Sequence, residues 1–232
     1  MPDFSKRSTE SEQMDDFGLD EKAIFPVLRE LETVNSLLGG YPVFYTAFKK
    51  IGLPEYAHIS DWGCGGGDTL IRLAKWAKKT GKRIRFTGLD ATASAVQYAR
   101  KNTASYPEIT IAHCDVMRDA GGADVVISGL FTHHFPDEDW IALVQKMAAS
   151  ARLAVVVNDL HRHPIAWWSI RLLTRLFSRS AMVRHDAPLS VLRAFRRKEL
   201  EHLLHRAGIK NYRLRWMWAF RWQLIIFTGE KG

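Results

Sequence analysis

Residues 56–69, YAHISDWGCGGGDT, constrain this chain more than any other stretch. Ala57, Ile59 and Trp62 read as a short buried strand, and Gly63, Gly65, Gly66 and Gly67 as a tight turn after it. Leu70, Ile71, Leu73, Ala74 and Ala77 then recur at helical spacing. Strand, glycine turn and helix in that order make the local geometry of a nucleotide-type cofactor loop in a doubly wound sheet. Two carboxylates narrow the guest. Asp68 stands where a dinucleotide fingerprint begun at Gly63 needs Gly or Ala, and Asp61 lies just before the turn. Negative charge on both flanks suits a cationic cofactor better than a pyrophosphate, which weakens a nicotinamide dehydrogenase reading. A second strand, IRFTGLD, ends in Asp90, about 20 residues past the loop, where a ribose-binding acid belongs.

DWGCGGG followed by GLD resembles the class I S-adenosylmethionine-dependent methyltransferases, over residues 55–160 most clearly. The resemblance implies roles at the ends of successive strands. Asp61 would hold the methionine ammonium region, and Gly63, Gly65 and Gly67 would give amides and close approach. Asp90 would accept the ribose hydroxyls. Asp115 would meet the adenine amino group, with Val116 and Met117 lining the ring. Ser128 to Leu130 would pass beneath the transferable methyl. NDLHRHP and the tryptophan-rich segment beyond it resemble a bacterial group acting on small polyketide-derived or quinone-like aromatics. The implied activity is O-methylation of a hydroxyl in secondary metabolism, with C-methylation of a quinone-like ring as the alternative.

Along the chain, residues 1–20 are polar and acidic and read as a frayed lead-in. Residues 21–38 and a shorter stretch from Tyr41 carry helical periodicity, giving an N-terminal helical extension over residues 1–54. Residues 55–232 read as the cofactor-binding domain. Strands are expected at 84–89, 109–113, 124–128 and 153–157, alternating with helices, with Thr92 as an N-cap. That alternation argues for a mostly parallel, doubly wound α/β sheet. Residues 211–218 and 220–227 alternate and close it as an antiparallel pair, giving seven strands. Residues 161–190 are too long for a plain connection and read as a helical insertion. Its helix, residues 164–178, carries Arg171, Arg175 and Arg179 on one face and apolar residues on another.

The net charge of +8 is uneven: residues 161–232 hold more than all of it, and the first 160 residues are mildly acidic. That asymmetry admits an RNA-binding or RNA-methylating reading. The basic residues are interleaved with core-type residues, and SGLF follows the fourth strand, so nucleic acid is disfavoured against a small aromatic or polyketide acceptor. No apolar run approaches the roughly 18 residues of a bilayer span. Peripheral contact through the arginine-bearing helix stays open. Two cysteines without paired spacing suggest neither zinc nor a disulfide, and a reducing cytoplasm is the expected setting.

The sulfonium carbon is already activated, so the protein must align the reactants and, for a hydroxyl, remove a proton. Histidine suits that task. His133 and His134 follow the fourth strand, while Asp159 and His161 follow the fifth, so a His–Asp pair across the site is expected. His185, beside Asp186 in RHDAPLS, is a further candidate, read as an acid-binding group or a turn. Asn158–Asp159 is the pair a metal-dependent mechanism would use, and no metal is favoured.

Overall fold

The computed structural model describes residues 2–229. Seven strands form one sheet: β1 (Tyr56–Trp62), β2 (Arg83–Asp90), β3 (Ile109–His113), β4 (Ala123–Gly129), β5 (Ala151–Leu160), β6 (Tyr212–Met217) and β7 (Arg221–Phe227). Their order is β3-β2-β1-β4-β5-β7-β6. β7 runs antiparallel to both β5 and β6, and the other neighbours are parallel. The expected doubly wound, mostly parallel sheet is present. The order reverses at β1 and β4, so ligands are expected at the carboxyl ends of these strands.

Among the described residues eight α-helices accompany it: α1 (Glu21–Leu37), α2 (Pro42–Ile51), α3 (Asp68–Lys79), α4 (Ala93–Thr103), α5 (Asp137–Ser150), α6 (Pro164–Phe177), α7 (Ala181–Arg193) and α8 (Arg197–Arg206). Successive side chains alternate between the two faces of a strand, which sorts the core into two halves. Ile59, Val125, Ile127 and Val156 join Phe44 of α2 and Leu73 of α3 in one. Val126, Val155 and Val157 join Trp140 of α5 and Leu204 of α8 in the other. Among the described residues no helix is long and apolar enough to cross a membrane.

Four details depart from the sequence reading. β5 runs on to Leu160, because Asn158 and Asp159 are buried and bonded instead of ending the strand. RHDAPLS lies inside α7, and Asp186 accepts the backbone amides of Gln13 and Met14 at 3.0 Å. Thr92 sits at the N-cap of α4 without a side-chain capping bond, and its amide donates to Asp90 at 2.9 Å. The lead-in is no frayed tail: Arg7 donates to the carbonyls of His133 and Phe135 at 2.9 Å, and a 3₁₀ turn at Gln13–Asp15 lies over the sheet end. A basic side chain that satisfies several buried carbonyls fixes a polar segment as firmly as apolar packing does.

Candidate functional site

A cavity of about 810 Å³ opens at the carboxyl ends of β1 to β4. The glycine turn forms its floor. Gly63, Gly65 and Gly67 have φ of 73°, 50° and 74°, the left-handed region that favours glycine. A Cβ on Gly63 would lie 2.3 Å from the Phe131 ring. Gly63→Ala is therefore expected to cost about 1–3 kcal/mol and to lower the melting temperature, measured by calorimetry. A melting temperature equal to that of the parent protein would contradict this account of the turn.

Carboxylates ring the cavity. Asp61 is buried, and its Oδ1 has no hydrogen-bond partner. Burial first, then the charges of Asp68 and Asp90, push its carboxyl well above the usual range. Asp68 accepts from the Tyr41 hydroxyl at 2.7 Å. Asp90 accepts from the amides of Gly65 and Thr92 at 2.9 Å, while burial raises its proton affinity. Asp115 accepts from the Met117 amide at 3.0 Å and lines the same space with Val116. An ionised, unpaired buried carboxylate is costly, and a bound cation offsets that cost. The donor set therefore fits a positively charged guest.

A second cavity, of about 370 Å³, adjoins the first. Leu31 and Val34 of α1, Ile170 and Leu173 of α6, and Trp216 and Phe220 of the β6–β7 hairpin give it apolar walls. Met14, Leu31, Leu130 and His134 border both spaces. At this junction His134 Nδ1 lies 2.6 Å from Asp15 Oδ1, and Arg193 holds Asp15 Oδ2 at 2.6 Å. These contacts keep the Asp15 carboxylate well below its ordinary range despite the burial that opposes them. With Nδ1–H donated to Asp15, the neutral ring presents its Nε2 lone pair.

His133 lies deeper. Its Nδ1 is 2.6 Å from Asp159 Oδ1, and its Nε2 is 3.5 Å from Glu12 Oε1. Asp159 also accepts from the Thr132 hydroxyl and the His133 amide, so it lies fixed behind the ring. Glu12, His133 and His134 bring ligand-type atoms within 4.8 Å of one another, but the Nδ1 atoms of both histidines are engaged by carboxylates.

Residues 59–153 match the family profile described as a methyltransferase domain. These residues carry a methyltransferase domain, and the fold around them is that of the S-adenosylmethionine-dependent methyltransferases among the solved structures. A search among curated proteins returns no match. Among solved structures, it resembles an O-methyltransferase family protein from Burkholderia thailandensis at 14% identity and TM-score 0.66, covering 95% of this chain and 64% of that one. It resembles human N-acetylserotonin methyltransferase in complex with SAM at 19% and 0.62, covering 94% and 63%. Magnesium protoporphyrin IX methyltransferase from Synechocystis PCC 6803, with bound SAH, matches at 18% and 0.54, covering 89% and 85%. The chain spans less than two thirds of the Burkholderia and human chains.

The fold brings Asp61, Gly63, Gly65, Asp90, Asp115 and Val116 to one cavity, while two expected neighbours face elsewhere. Ser128 is fully buried within β4 and donates to the Trp62 carbonyl at 2.9 Å, leaving Gly129 and Leu130 to border the space. Gly67 lies behind the floor, where its added Cβ would meet Thr103. His133 and Asp159 form the expected pair, but His161 lines neither cavity. It packs on Trp222, and burial holds its pKa down at about 4. His185 is partly exposed and hydrogen-bonded to Asp186 at 2.7 Å. Asn158 is tied to the Gly40 carbonyl, not arranged with Asp159 for a metal. Sequence reasoning missed Glu12 and Asp15, whose only signal was acidic residues in a segment lacking apolar periodicity, and Arg193, which ends α7 with no local mark of its partner.

Burial alone would lower the His133 pKa, but Asp159 and then Glu12 outweigh it and hold the ring at about 9. A pKa raised above the ordinary 6.5 contributes stability that is fully present below that pH and lost as pH rises through about 9. The melting temperature of the protein should therefore fall by about 5 °C or more over that window, and His133→Gln should flatten the fall. A parallel decline in both proteins would count against the buried ion pair.

Proposed function

We propose that this methyltransferase transfers a methyl group to a hydroxyl of a small aromatic or polyketide-like acceptor, with His134 as the base. The observation that carries the reading is the place of His134 at the junction of the two cavities, its Nδ1 fixed by Asp15. In the cofactor cavity, Asp61 and Asp68 would hold the methionine ammonium, Asp90 the ribose and Asp115 the adenine edge. Bound there, the sulfonium supplies an activated methyl group.

The protein's own residues then do three things. The apolar walls exclude water, which strengthens every charge inside. His133, charged at neutral pH between Asp159 and Glu12, would put positive charge behind the acceptor site and favour the anionic form of its oxygen. His134 Nε2 takes the hydroxyl proton, and Asp15 stabilises the imidazolium that forms. The likeness to the O-methyltransferase family protein and to N-acetylserotonin methyltransferase supports this acceptor class.

The test is incubation of the purified protein with methyl-labelled S-adenosylmethionine and a panel of phenols and hydroxylated polyketides, read by mass spectrometry. A labelled methyl ether is the expected product. Labelled ring carbon would favour C-methylation instead, and no labelled product from either class would overturn the reading.

A further inference from the structure

The outer face of α6 bears apolar side chains that the fold leaves uncovered. Trp168, Leu172 and Leu176 follow one another at helical spacing, and Phe177 ends the helix at 77% exposed. Large apolar residues in such a row normally face a core, and a contiguous exposed set marks an interaction surface. The neighbouring hairpin adds Trp216 and Trp218, the latter 64% exposed. Both tryptophans also border the apolar cavity, as do Ile170 and Leu173 on the inner side of α6. The exposed patch therefore adjoins the apolar cavity, with the two hairpin tryptophans common to both.

Charge selects the partner. Arg171, Arg175, Arg179 and Arg184 are all exposed around this face, and the Arg171 guanidinium lies over the rings of Trp167 and Trp168. Between His161 and Lys198 the chain has one acidic residue, Asp186, and it is buried. A second copy of the chain would set these arginines against themselves, which is repulsive. An RNA backbone would use the arginines and leave the leucines and phenylalanine in water. A surface offering both an apolar interior and anionic headgroups uses every group present, with tryptophan at the boundary between them.

We propose that the outer face of α6 and the tip of the β6–β7 hairpin form a docking surface for an anionic lipid bilayer, from which an apolar acceptor enters the second cavity. The docking stands on the surface alone; the entry of the acceptor rests on the functional reading above and narrows it to a membrane-dissolved hydroxylated aromatic. Docked in this way, the cavity mouth meets the bilayer and the glycine-turn cavity keeps its own access to water-soluble cofactor.

Flotation of the full chain with vesicles tests it. The protein should float with vesicles containing phosphatidylglycerol at least about tenfold more than with phosphatidylcholine alone. Leu172→Glu with Leu176→Glu should lower that binding about tenfold or more, and Arg171→Gln with Arg175→Gln should lower it several-fold and reduce its salt dependence. Neither leucine lines a cavity, so cofactor affinity and methylation of a water-soluble phenol should be unchanged in the leucine variant. Failure to float with anionic vesicles, or flotation indifferent to both variants, would overturn the docking. So would a stable dimer that the leucine variant converts to monomer, or RNA binding lost only in the arginine variant. Docking that persists when no phenol is methylated would sink the acceptor reading and leave the surface standing.

Discussion

His134→Gln is expected to lower kcat on a phenolic acceptor by about 10²–10⁴-fold, the range lost with a positioned general base. Glutamine keeps the approximate size and a hydrogen bond to Asp15 but offers no basic nitrogen. Cofactor affinity, measured by calorimetry, should be nearly unchanged, because His134 meets the cofactor cavity only at its border. Asp15→Asn should give a smaller loss of the same kind, since it leaves the imidazole in place but removes the carboxylate 2.6 Å from Nδ1. His161→Gln serves as the control, because His161 lines neither cavity, and it should retain kcat. A His134→Gln protein with the parent's kcat would remove the base from this site.

Asp61→Asn should move affinity and stability in opposite directions. The Asp61 carboxyl has its pKa raised by burial and by Asp68 and Asp90, so its folded form favours the proton. A carboxyl of that kind contributes stability at low pH that is lost as pH rises through its raised value. Above the ordinary carboxylate range the buried carboxyl therefore opposes folding until a cation pairs with it. The isosteric amide removes this opposition, so the unliganded variant should melt higher than the parent by a few degrees. The same change removes half of an ion pair in a buried site, and S-adenosylmethionine affinity should fall by about 100-fold. The melting-temperature gain on adding cofactor should shrink accordingly. Unchanged affinity would mean that the carboxylates around the turn answer to something other than the cofactor's charge.

Both predictions begin from side chains visible in the sequence, yet they differ in how much the sequence could say about them. The glycine turn, the strand ends and the acids at Asp61, Asp90 and Asp115 were legible because they depend on local order. Strand alternation, φ above zero and a position at a strand's end repeat whenever such a sheet forms. The pairing of His133 with Asp159 was also within reach, since adjacent parallel strands bring their carboxyl ends together. Its partner Glu12 was not, because nothing local to a polar segment says where that segment lies.

Sequence alone thus determined the sheet and the acid-fringed cofactor turn, through periodicity and backbone chemistry confined to a few residues at a time. Tertiary structure decided which histidine reaches the junction, turned His161 onto Trp222, gave the hydroxyl of Ser128 to the Trp62 carbonyl and laid Glu12 and Asp15 over the site. The reason is physical. Arg7 and Arg193 draw the first residues across the sheet by satisfying carbonyls and carboxylates more than 100 positions away in the chain, and such contacts leave no periodic trace in the segment they hold.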